Sequence, residues 1–97
     1  MFIAPREGAV VRGIATASLL RCIVAMAIDT GNLRVEVDTK NKLEFRAVRN
    51  LIQSATPDNI IQEGCAVYMK FTDTIKYRIR DQGECEGKRC VKLIQVL

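Results

Sequence analysis

Four cysteines, Cys22, Cys65, Cys85 and Cys90, are the side chains best suited to covalent or metal chemistry, and no histidine accompanies them. A thiol becomes a strong nucleophile or metal ligand when a neighbouring base or cation draws off its proton. Without an imidazole, histidine-based triads, histidine general bases and histidine metal ligands are excluded. No two cysteines have the two-residue spacing of a zinc knuckle or a thioredoxin-like redox pair. Cys85 and Cys90 flank Glu86-Gly87-Lys88-Arg89, a loop whose ends can meet. A disulfide is one reading of that pair; four reduced thiols, as in a reducing compartment, is the preferred one. Cys22 lies in an apolar run and reads as a small buried hydrophobe. Asp81 and Glu84 sit in a polar turn, where no burial would tune a carboxylate for acid–base work. No Gly-Lys-Ser/Thr phosphate loop occurs. The expectation is a binding module with no catalysis of its own, no metal and no cofactor.

The elements that would carry such a module must fit in 97 residues, one domain spanning 1–97, with 1–9 and 81–97 as flanking segments. A composition 48% hydrophobic and 27% charged is that of a globular chain. The net charge is +4, but the signs interleave along the sequence, the pattern of a solvated surface rather than of a basic stripe. The most apolar stretch, Ile14 to Ile28, is broken by Arg21. It is shorter than the roughly 20 residues of a membrane span, so no membrane insertion is expected.

Two-residue alternation is the strongest local signal. Leu33, Val35 and Val37 alternate with Arg34, Glu36 and Asp38, and Leu43, Phe45 and Ala47 resume the pattern after a polar turn. That predicts a hairpin of two half-buried strands. Val67, Met69 and Phe71 form one face of a further strand. Ile75, Tyr77 and Ile79 form a face opposite Lys76, Arg78 and Arg80, and Val91 to Val96 make a last short strand. Leu20, Cys22, Val24, Met26 and Ile28 also recur at period two. The stretch is therefore read as a bent strand pair, 10–17 and 20–28, with a helix from Ala15 to Ala27 as the alternative. Thr56-Pro57-Asp58 predicts a single helical turn with Pro at its first position. Strands on either side of one helical turn predict an all-β fold, a small OB-like barrel that removes its sheet edges by closure.

Gly31-Asn32-Leu33-Arg34-Val35-Glu36-Val37, the run to Phe45, and Glu63-Gly64-Cys65-Ala66-Val67-Tyr68-Met69-Lys70-Phe71 resemble the TOBE domain. Gly13-Ile14-Ala15-Thr16 is similar to that family's first strand, and Ser54-Ala55 to a pattern of the related molybdate-binding Mop domains. The resemblance covers roughly residues 10–80. It implies an OB-type accessory or regulatory domain of an ABC importer ATPase, in the cytoplasm and peripheral to the inner membrane through its transporter complex. The partners it implies are the ATPase core or a second copy in a homodimer, with a small oxyanion as ligand. Arg49, Asn50, Ser54, Lys70 and Thr72, near the turn between the hairpins, are the candidate ligand-binding residues, since hydroxyls, amides and cations hold a tetrahedral dianion. The Ser-Ala-Arg-Asn signature of many Mop domains is absent, and Thr72 occupies the slot of the family's anion-contacting lysine. The rival class is a single-stranded nucleic-acid-binding OB fold. In that reading Tyr68, on the face opposite the core and beside Lys70, is the stacking platform.

Overall fold

The computed structural model describes the backbone of residues 5–38 and 42–96 and the side chains of 13–38 and 43–96. The elements are α1 (Pro5–Thr30), β1 (Leu33–Asp38), α2 (Lys42–Gln53), one turn of 3-10 helix (Pro57–Asn59), β2 (Ile60–Glu63), β3 (Ala66–Lys70), β4 (Lys76–Cys85) and β5 (Lys88–Gln95). The strands form one sheet in the order β1-β5-β4-β3-β2. Strands β2 to β5 run as an antiparallel meander, and β1 closes on β5 in parallel. The sheet is mixed and open, with β1 and β2 at its edges, so the expected all-β barrel is replaced by two helices against a five-stranded sheet.

The strand pair 10–17 and 20–28 gives way to its alternative, a helix, and the strand expected at 43–47 is helical too, each for an identifiable reason. In 20–28 every second member of the period-two set is also an i, i+4 neighbour. Val24 is therefore buried, with Leu20 and Ile28 packed on the core, while Cys22 and Met26 lie exposed on the other side of α1. A stretch apolar all round satisfies both periods, and length decides for the helix. In 43–47 the alternating window is too short to settle the period. Extended to Gln53 it contains Phe45, Val48, Leu51 and Ile52 at helical spacing, so the second half of the expected hairpin is α2.

Local chemistry ends these elements. The Asn32 N–H donates to the Ala27 carbonyl (2.8 Å) and the Gly31 N–H to the Ile28 carbonyl (3.2 Å). With Gly31 at φ +72°, this is a Schellman end to α1. The predicted turn at Thr56-Pro57-Asp58 is present: the Thr56 N–H donates to Asn59 Oδ1 (2.9 Å), and Asn59 Nδ2 donates to the Lys70 carbonyl (3.1 Å), tying the turn to β3. At the β4–β5 hairpin, Glu86 and Gly87 both have positive φ, the geometry of a tight turn matched to strand twist.

The core lies between the helices and one sheet face. Val67 and Met69, Tyr77 and Ile79, and Val91 and Leu93 point from consecutive strands toward Ala17 and Val24 of α1 and Val48 of α2. Gln62, on the same face of β2, donates to the Ile14 carbonyl (3.2 Å) and accepts from Ser18 Oγ (3.0 Å), fastening α1 to the edge strand. A Cβ at Gly13 would fall 2.9 Å from Cys65 Sγ, so α1 passes the β2–β3 turn more closely than a side chain there allows.

Candidate functional site

The five residues chosen from sequence do not assemble. Arg49 lines a cleft between α2 and β1 with Leu33, Val35, Val37, Phe45 and others, but none of the other four candidates lines it. Asn50 is exposed on α2. Ser54 Oγ donates to the Leu51 carbonyl (3.1 Å) and more weakly to that of Asn50 (3.4 Å), capping the end of α2. Thr72 Oγ1 accepts from the Thr74 N–H (3.3 Å) and the Ile75 N–H (3.0 Å), holding the β3–β4 turn. Lys70 faces Asp73 at 3.7 Å. Both hydroxyls thus satisfy local backbone groups, as such residues beside turns do.

A different set of residues converges on the sheet face that bears no helix. The alternation that buries Tyr77 and Ile79 turns Lys76, Arg78 and Arg80 to the opposite side. In the ladder, Arg80 stands directly across from Lys92, Lys70 across from Lys76, and Arg78 between Tyr68 and Ile94. Like charges directly opposite across strands destabilise a sheet. Two of these cations are neutralised within the chain: Lys70 by Asp73, and Lys76 by Glu63 at 3.1 Å. Lys76 also lies 4.3 Å from the centre of the Tyr68 ring, a cation–π contact. Glu36 stands beside Lys92 in the register, yet Arg78, Arg80 and Lys92 form no ion pair with the described residues. The centre of the face therefore gathers three cations, Arg78, Arg80 and Lys92, with the carboxylate of Glu36 across from Lys92 in the ladder.

The same place has depth. The β3–β4 ladder runs from Lys70/Lys76 to Tyr68/Arg78. Past it, Ala66 and Val67 stand apart from Ile79, Arg80 and Asp81 across a cleft of about 430 Å³. Leu20 of α1 also lines the cleft, as do Arg78, Ile94 and the exposed Cys65. Asp81 is engaged elsewhere: its Oδ1 accepts from Arg89 (3.2 Å) and from the Gly83 N–H (2.9 Å). The arrangement suits holding a group with an apolar body and a negative charge, because guanidinium forks match phosphate and carboxylate oxygens. Among the described residues no cluster of three or more metal-ligating side chains occurs.

Cys85 and Cys90 are joined as a disulfide across the β4–β5 hairpin, in place of the preferred reading as reduced thiols. Cys22 is exposed rather than buried. No protein-family model, curated protein or solved structure matched the chain.

Residues 70–80 already displayed Lys76, Arg78 and Arg80 on one face of a strand. Lys92 joins them only through strand pairing, which is why the sequence read as charge dispersed over the surface.

Proposed function

We propose that the chain is a non-catalytic binding module whose helix-free sheet face takes single-stranded nucleic acid. The observation that carries this reading is the direct opposition of Arg80 and Lys92 beside Arg78, none of which forms an ion pair with the described residues. A phosphate chain across the face would remove the cross-strand repulsion that the fold leaves in place. The cleft between β3 and β4 would admit an unstacked base against Ala66 and Ile94, the apolar lining residues that alternate onto this face. Tyr68, its ring already against Lys76, would bound the site rather than serve as a free stacking platform. An open sheet face used in this way needs no barrel closure. The accessory role in a transport ATPase rests on the sequence resemblance, and the open sheet lends it no support.

The test is fluorescence anisotropy of a labelled single-stranded oligonucleotide over a range of salt concentrations. Contacts with about three phosphates give a slope of log K against log salt near −2. Arg80→Glu and Lys92→Glu should each weaken binding and flatten that slope, whereas Arg49→Glu, on the other side of the sheet, should leave it unchanged. Absence of binding at low salt would end this reading. A rise in melting temperature with molybdate or sulfate, without oligonucleotide binding, would favour a small-oxyanion site instead.

A further inference from the structure

The residues of α1 divide into two apolar stripes on opposite sides of the helix. The inner stripe, including Ala17, Val24 and Ala27, is buried against the sheet. The outer stripe, Ala15, Leu19, Cys22 and Met26, follows the 4-3-4 spacing of a coiled-coil seam. It is uncovered: Leu19 is 61% exposed and Met26 67%. A solvated helix of a two-layer fold carries polar residues there.

We propose that a second copy of this chain covers the outer stripe, with the two α1 helices antiparallel about a two-fold axis passing between Leu20 and Arg21. The pattern is self-complementary in that register alone among those centred on the stripe. Leu19 falls opposite the partner's Cys22, and Ala15 opposite the partner's Met26. Each layer thus pairs one large and one small side chain, the interdigitation that a close-packed seam needs. Two-fold symmetry makes each contact occur twice, so a short seam closes on itself and does not propagate.

A lipid bilayer is the competing occupant, because Gly13–Thr30 is long and apolar enough to cross a membrane. The inner stripe argues against it: spanning would strip Ala17, Val24 and Ala27 from the core and expose Val67, Met69, Val91 and Leu93. In the dimer the helix-free faces point away from the seam, so two basic faces would be presented on opposite sides of one particle. The dimer itself does not depend on what those faces bind.

The test uses the full chain. Sedimentation over a range of concentrations should show a monomer–dimer equilibrium. Leu19→Asp and Met26→Asp should each weaken it by at least ~10-fold, with unchanged far-ultraviolet circular dichroism because both positions face outward. Register is tested by mild oxidation in a Cys65→Ser background. Leu19→Cys should cross-link to the partner's Cys22 and give a covalent dimer, while Leu19→Cys combined with Cys22→Ser should not. Three results would overturn the proposal: a monomer at every concentration, ready cross-linking through Cys22 alone (the mark of a parallel pair), or partition of the wild-type chain into phosphatidylcholine vesicles.

Discussion

Tyr77 joins both layers of the fold through one polar atom. Its ring is buried in the core, and its hydroxyl donates to Glu44 Oε1 of α2 at 3.2 Å. Burial, then the Glu44 charge and the hydrogen bond, push the hydroxyl above its ordinary pKa near 10. The unfolded chain therefore releases this proton at lower pH than the folded one does. The stability involved is fully present below the unfolded value, and is lost as pH rises from there through the folded value. Tyr77→Phe should cost about 1 kcal/mol near neutrality and should also remove this share of the alkaline loss. Urea midpoints at about pH 8 and about pH 11 separate the two effects: the wild type should fall further between them than the variant. Equal falls would mean that the Tyr77 proton does not distinguish the two states. The burial of Tyr77 was legible from its alternation with Ile75 and Ile79. Its partner was not, because Glu44 lay in a segment read as strand. The five candidate ligand residues have separate local settings for a related reason. Ser54 and Thr72 have the chemistry of ligand contacts, but the same chemistry satisfies turn backbone at no conformational cost. Arg80 and Lys92, twelve positions apart, become neighbours only through the β4–β5 register.

At the scale of elements, β3, β4, β5 and the 3-10 turn were legible because each has a single consistent period or a defined capping pattern. The helices were less so: a helix from Ala15 to Ala27 stood only as the alternative to a strand pair because α1 is apolar on both sides, and α2 begins with a window that fits a strand. The β4–β5 hairpin also shows what spacing can and cannot say. Cys85 and Cys90 were recognisably within reach of one another, but reach alone does not report oxidation. The structure adds that Arg89 ties the irregular stretch between Asp81 and Glu84 by pairing with both carboxylates, at 3.2 and 3.7 Å. The hairpin is thus held by a tight turn, an ion-pair fork and a covalent bond. The disulfide closes only a short loop, so its entropic contribution is modest, about 2 kcal/mol. Converting both cysteines to serine should lower the melting temperature by roughly 10 °C while leaving circular dichroism unchanged. The same drop should follow reductant on the wild-type chain and be absent from the double variant. A melting temperature indifferent to reductant would mean that the pair is not bonded in solution.

At the scale of the whole molecule, one consequence follows from having a sheet with helices on one face only. A barrel would bury its core within the strands, and a lost helix would cost little. Here α1 covers Met69, Val67 and Leu93, and Val24 is its fully buried contact with that cluster. Detaching α1 exposes the core face of the central strands, so helix and sheet should open together rather than in stages. Hydrogen exchange tests this directly. Amides of α1 between Ala17 and Ala27 should share the protection of those in the centres of β4 and β5, all limited by global unfolding. Val24→Asp puts an unpaired charge at the middle of the interface, and should abolish protection in both layers at once. Leu93→Ala, which leaves a cavity on the sheet side, should cost about 2–5 kcal/mol and lower the protection of α1 and the strands by the same amount. Exchange of α1 much faster than β5 would show the opposite order, a helix only loosely held by the sheet and free to bury its inner stripe elsewhere.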